Sequence, residues 1–166
     1  MSGGEPAPAV DTVLHLDFEV DPVVTMAELR HGPRDPTIRF EGGVVVWRTA
    51  RFDDAPATVR ISPAADGWRV MAWGDGAEAA LAAVPRSLGA EDDPAALRPE
   101  QPRLRELVAR LAGWRFGRTD AVWASRLPAV CGQMVTAIEA LRAYHGIVRR
   151  FGEPAPGPQR LWVTPR

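Results

Sequence analysis

The hydrophobic period of this chain changes once, at the acidic, proline-broken stretch Glu91-Asp92-Asp93-Pro94. Before it, apolar residues tend to alternate with polar ones, the period of a half-buried strand. After it they recur at i, i+3, i+4 and i+7, the period of an amphipathic helix. A segment cannot present one buried face with both periods, so the chain is predicted to form two units that meet at this linker.

The first unit is expected over residues 11–93, behind a disordered tail at 1–10. Leu14, Leu16, Phe18 and Val20 alternate with His15, Asp17 and Glu19, which predicts a strand. Asp21-Pro22 has the N-cap and first-turn residues of a short helix, which Gly32 is expected to close. Four more strands are predicted, over Pro36–Glu41, Val44–Phe52, Thr58–Ile61 and Trp68–Trp73. Gly42-Gly43 predicts a two-residue hairpin turn, and Pro63 to Gly67 a longer one. A helix is expected from Asp75 to Val84, ended by Pro85. The order β-α-β-β-β-β-α implies a curved antiparallel sheet with helices on one face, an α+β fold. Trp47, Trp68 and Trp73 read as core or cross-strand residues.

The second unit is expected over residues 98–166 and is helical. Leu104, Leu107, Val108 and Leu111 share one face of a helix that Gly113 stops. Thr119-Asp120 is expected to cap a second helix with the stripe Trp123, Leu127, Val130 and Met134, and with Pro128 bending it. A third helix from Ala137 to Arg150 should turn Ile138, Leu141, Tyr144, Ile147 and Val148 inward. Glu153 to Pro158 reads as an extended connection, and Leu161-Trp162-Val163 as an apolar tail without an evident partner. Three one-sided helices and a loose tail do not close a core, so more protein is expected to cover them.

Charge follows the same division. Residues 1–97 carry 8 Arg against 16 Asp and Glu, and residues 98–166 carry 12 Arg against 5 acidic residues, within a net charge of −1. A polyanion would therefore meet the second part. The two parts attracting each other is an equally plain reading of the asymmetry. No run is long enough for a membrane span, and Met1 to Pro8 lack the layout of a signal peptide. The single Cys131 cannot form an internal disulfide, which fits the cytoplasm.

Between the last two helices, Thr136 and Glu139 have capping-box spacing, so the chain should stop and restart there. The turn before that cap is Gln133-Met134-Val135. Together with Arg34-Asp35-Pro36-Thr37, Ala72-Trp73-Gly74, Phe116-Gly117-Arg118-Thr119 and the stretch from Arg149 to Pro158, it resembles the N-terminal portion of the DNA-3-methyladenine glycosylase II family. The resemblance spans nearly the whole chain, although no one of these motifs is strong singly. It implies base excision of alkylated purines from double-stranded DNA, with a base flipped from the duplex and no cofactor in the chemistry. By that resemblance Met134 matches the residue that fills the gap, Gln133 its minor-groove neighbour, and Thr136 the cap of the next helix. Arg118 is carried over as a further DNA contact. From the residues alone, Met134 continues the Trp123-Leu127-Val130 stripe and reads as core.

The family also requires a helix-hairpin-helix and a following catalytic aspartate. Neither is found before Arg166, so no catalytic residue is assigned, and Asp17, Asp21, Asp53, Asp66, Asp75 and Asp120 fall in strands, turns or caps. The chain is expected to contact DNA but to be inactive alone, as a fragment, a truncated product or half of a split enzyme awaiting its C-terminal half. The alternative is a non-catalytic protein-interaction module on the same scaffold. His15, His31, His145 and Cys131 lack zinc-ligand spacing, Val70 to Gly76 lacks a phosphate-loop pattern, and Ser62, Ser87 and Ser125 have no adjacent base pattern.

Overall fold

The computed structural model describes residues 6–166. It is an α+β fold, with a five-stranded antiparallel sheet and five α-helices. The sheet comprises β1 (Val10–Leu14), β2 (Ile38–Glu41), β3 (Val45–Phe52), β4 (Ala55–Ala64) and β5 (Gly67–Trp73), in the order β1-β5-β4-β3-β2. Strands β2 to β5 form a meander, and β1 closes it by pairing with β5.

The turns explain the meander. Asp53 and Asp54 both adopt positive φ between β3 and β4, the twist a two-residue hairpin needs. Gly42 and Gly43 are also left-handed, but Val44 joins them, so that loop has three residues and β3 starts at Val45. The loop expected from Pro63 to Gly67 is shorter. β4 runs through Pro63, and only Ala65-Asp66 connects Ala64 to its partner Gly67.

The first strand also differs from expectation. Leu14 pairs with Trp68, and β5 begins one residue earlier at Gly67, so an antiparallel partner for Leu16 and Phe18 does not exist. The strand is therefore Val10–Leu14, and Leu16 and Phe18 lie beyond it, packed against the core. Pro6 to Val10 are not a free tail: the Trp73 indole donates to Pro6 O, Ala9 N donates to Ala72 O, and Val10 is in the sheet. The rest of the expected tail, residues 1–5, lies outside the described residues.

Helix α1 (Pro22–Met26) is capped by the Asp21 carboxylate, which accepts from Val23 N and Val24 N, and continues as a 3₁₀ turn to Leu29. Gly32 follows at φ 81° rather than closing the helix directly. Helix α2 (Ala77–Ser87) passes through Pro85 instead of ending there. Met26, Ala80, Val84 and Leu88 seal one sheet face against Val46, Val59, Ile61 and Val70.

The opposite face is covered from far along the chain. After helices α3 (Pro102–Arg110), α4 (Val122–Cys131) and α5 (Ala137–Phe151), a short ribbon pairs β6 (Glu153–Pro154) with β7 (Trp162–Val163). It carries Leu161 onto the stacked rings of Trp47 and Trp73, whose centroids lie 5.5 Å apart. Thr49 Oγ1 donates to Trp162 O at 2.6 Å, and Arg51 pairs with Glu153. The apolar tail thus has a partner, the outer sheet face. Trp47 and Trp73 are core, as their pattern predicts, and Val163 is fully buried.

The segment between α3 and α4 is clasped to the first part of the chain. Asp21 N donates to Gly113 O, Arg115 stacks over Phe18, and Arg118 N donates to Arg86 O. Gly117 lies so close to Ser87 that a Cβ would stand 2.1 Å from its carbonyl oxygen. Four side chains then close a ring of ion pairs at 2.7–3.0 Å: Arg86 with Glu91 and Asp120, and Arg118 with the same two carboxylates. No helix among the described residues is long and apolar enough to cross a membrane.

Candidate nucleic-acid interface

Helices α4 and α5 pack together through a small core of Leu127, Tyr144 and Val148. Tyr144 anchors α5 to the sheet. Its ring meets His31 edge-on at 5.0 Å, and its hydroxyl lies 3.5 Å from Thr37 Oγ1. Burial, reinforced by the nearby Asp35 carboxylate, pushes the Tyr144 phenol up to about 12, so it stays neutral. His145 Nε2 meets His31 O at 2.8 Å, a second tie between α5 and the loop before β2.

Many of the remaining apolar positions of these helices are exposed. In the expected stripe of α4, Leu127 alone is buried; Trp123, Val130 and Met134 are exposed. In α5, Tyr144 and Val148 are buried, Leu141 and Ile147 are half-buried, and Ile138 is exposed. Each helix touches its neighbours along one narrow seam, whereas period alone predicts a broader buried face.

The loop between α4 and α5 adds further exposed groups. Gly132 N donates to Pro128 O and Gln133 N to Val130 O, which ends α4. Met134 then takes φ 58°, the left-handed conformation that usually belongs to glycine at this position after a helix. A side chain there costs on the order of 1 kcal/mol or more. The Met134 side chain is also fully exposed, so no buried contact offsets that strain. Val130, Val135 and Ile138, each within four residues of it in the chain, are also exposed, and the exposed Gln133 amide has no side-chain hydrogen bond among the described residues.

Thr136 restarts the chain. Its hydroxyl accepts from Glu139 N, and Glu139 Oε2 accepts from Thr136 N at 2.9 Å and from the hydroxyl at 2.8 Å, a complete capping box. The Thr136 amide, helped by its hydroxyl, holds the Glu139 carboxyl below the usual carboxylate range. Thr136→Ala is expected to cost about 1 kcal/mol at neutral pH. Because the Glu139 pKa is depressed on folding, its contribution is present above the unfolded-state value and fades as pH falls through the folded one. Urea denaturation in acid should therefore show a smaller penalty for Thr136→Ala; a penalty independent of pH would contradict this coupling.

Arg118 is in a different setting. Its Nε donates to Asp120 and its Nη1 to Glu91, so most of the guanidinium is engaged within the clasp ahead of α4. Asp120 does not cap α4 as the pattern Thr119-Asp120 predicts. Its carboxylate goes to Arg86 and Arg118, and the N-cap position falls to Ala121, which has no side-chain acceptor. Such a long-range ion ring has no local sequence signal. No group of three His, Cys, Asp or Glu residues that could hold a metal occurs among the described residues.

No family model matches the chain, and neither does any curated protein sequence. A solved structure does: the 3-methyladenine DNA-glycosylase from Archaeoglobus fulgidus superposes with a TM-score of 0.69 at 21% identity. The match covers 93% of this chain and 55% of that one. The chain therefore has a glycosylase-like fold and spans about half the length of the protein it resembles.

Proposed function

We propose that the chain is the DNA-contacting N-terminal portion of a DNA-3-methyladenine glycosylase II-like protein, acting in excision of alkylated purines and inactive by itself. The observation that carries this reading is Met134. A methionine that is left-handed and fully exposed at the tip of a helix–turn–helix has no packing role to justify its strain. A flexible apolar side chain so presented suits insertion between bases, where it restacks against neighbours that opening the step would expose. Gln133 supplies a free amide beside it for a groove edge, and the Thr136 cap fixes the angle at which the turn is offered. Arg118 acts through the ion ring, positioning the segment ahead of α4, with a remaining amino group for phosphate.

Met134→Ala tests this. Stability should change by no more than about 0.5 kcal/mol, since no buried contact is lost. Affinity for a duplex carrying an abasic gap should fall about tenfold, while affinity for intact duplex should hold. Intact-duplex binding itself should be weak, on the order of 10⁻⁴ to 10⁻⁶ M, and steeply salt-dependent. Fluorescence anisotropy at fixed salt reads both; equal losses on the two duplexes, or none, would remove Met134 from the interface. The 166-residue chain alone should release no 3-methyladenine from alkylated DNA above the buffer rate. Measurable release would show that the chain supplies its own transition-state stabilisation.

A second reading, a protein-interaction module, is favoured by α3. Leu104, Leu107 and Leu111 are exposed and, with Leu97 and Phe116, line an apolar groove of about 590 Å³. Genomic DNA downstream discriminates the two: a continuation encoding a glycine-rich hairpin and a following aspartate supports the glycosylase reading, and its absence supports the module.

A further inference from the structure

A second cavity, of about 540 Å³, lies where β2 ends and leaves the edge of β3 uncovered. Arg48 of β3 lines it, together with the first turn of α4 and the ring of Tyr144. Arg48 is only 8% exposed, on the helix-covered side of the sheet with Val46 and Ala50. Its guanidinium makes one long hydrogen bond, Nη1 to Ser87 Oγ at 3.4 Å, and lies 5.8 Å from the centre of the Phe52 ring. Among the described residues it has no carboxylate partner.

That is an expensive arrangement. Taking a guanidinium out of water costs several kcal/mol unless a counter-charge and hydrogen bonds compensate. Burial pulls the Arg48 pKa down to about 10, which leaves it cationic at neutral pH. The other charged groups in the walls do not supply the missing anion. Arg51 is paired with Glu153, Asp54 with Arg166 at 3.7 Å, and Glu28 is exposed, where solvent screens it.

The N-terminus of α4 adds to the imbalance. Ala121, Val122, Trp123, Ala124 and Ser125 all line this cavity. Because Asp120 is drawn into the ion ring, the helix has no side-chain cap; Val122 N donates to Asp120 O, but Trp123 N and Ala124 N have no partner among the described residues, and with the helix dipole they present positive potential. A buried cation without a counter-ion and an uncapped helix start thus share one cavity.

We propose that this cavity is a binding site for a small oxyanion of phosphate size, held by Arg48 and the first turn of α4. It is separate from the Gln133-Met134 turn and does not depend on the DNA-binding reading. The anion is either free or the phosphoryl group of a small ester; Trp123, half-exposed on the lining, offers a ring on which the organic part of an ester could stack.

The test is thermal denaturation of the full chain in inorganic phosphate or adenosine monophosphate, against sodium chloride at matched ionic strength. Phosphate should raise the melting temperature saturably, as ligand linkage requires, where chloride does not. An ester source predicts tighter binding of the monophosphate, with quenching of tryptophan fluorescence that Trp123→Leu removes. A free-anion source predicts equal effects of both. Arg48→Met should weaken phosphate binding at least about tenfold while leaving the phosphate-free melting temperature equal or higher, because the uncompensated charge is gone. Ala121→Asp places a carboxylate where the helix lacks one, and should stabilise the protein while abolishing the response to phosphate. A wild-type chain with no response beyond that to chloride, or an unchanged response in both variants, would overturn the site.

Discussion

Replacing Trp73 with alanine is expected to destabilise the protein by about 3–5 kcal/mol, the cost of emptying a large aromatic site. Trp73 joins three separated parts of the chain: it stacks on Trp47, donates to Pro6 O at 2.9 Å, and packs beneath Gly157 and Leu161. Its loss should lower the melting temperature by roughly 10 °C for a chain of this size. Amide exchange should locate the damage, with protection lost at Leu161 and Val163 before the interior of β4. A penalty below about 1 kcal/mol, or a ribbon that stays protected, would mean that the outer sheet face is covered by other contacts.

Asp35→Ala should be nearly as severe. Asp35 is buried and accepts three hydrogen bonds, from His31 N at 2.6 Å and from Thr37 N and Oγ1 at 2.7 Å. Truncation strands those donors, at about 1–3 kcal/mol for each one left unsatisfied. The network continues, since Thr37 O accepts from Thr49 N and Oγ1 and Thr37 Oγ1 meets Tyr144. A total near 3 kcal/mol is expected, measured by urea denaturation, against about 1 kcal/mol for Thr37→Val, which removes only the hydroxyl. Equal costs for the two variants would show that the carboxylate is not the organising group. Within Arg34-Asp35-Pro36-Thr37, Asp35 and Thr37 therefore have a structural role: they build the socket that meets Tyr144 of α5.

The meander was legible in the sequence because its strands are runs rich in β-branched and aromatic residues, and Gly42-Gly43 and Gly67 mark two of its three turns, all of them signals local to the chain. The Asp21 cap and the Thr136-Glu139 box were legible for the same reason, since both interactions are completed within four residues. Errors arose where the deciding partner is distant. Leu16 and Phe18 alternate like a strand, yet β5 begins at Gly67 and offers them no antiparallel partner. Asp120 has the composition of a cap, but Arg86 and Arg118 attract its carboxylate more strongly. Leu161 finds its partners, Trp47 and Trp73, on strands far earlier in the chain. Met134 is the instructive case at the candidate interface: its spacing continues an apolar stripe, and nothing in the identity of a methionine announces a left-handed backbone. The Arg48 cavity was not legible at all, because an arginine in an alternating strand gives no hint of which face it will share.

The ribbon that returns to the sheet sets an order of events during synthesis. Neighbouring strands from β2 to β5 are joined by turns of two or three residues, so their pairing closes only short loops and can begin early. Thr49 must wait for a residue 113 positions later before its hydroxyl finds Trp162 O. At translation rates of about 5–20 residues per second, the sheet has its strands several seconds before its outer cover leaves the ribosome. Throughout that interval the Trp47–Trp73 stack lies open to water on an already paired sheet, an adhesive patch in a crowded cell. A nascent chain stalled before Leu161 should therefore be the form of this protein most in need of a chaperone.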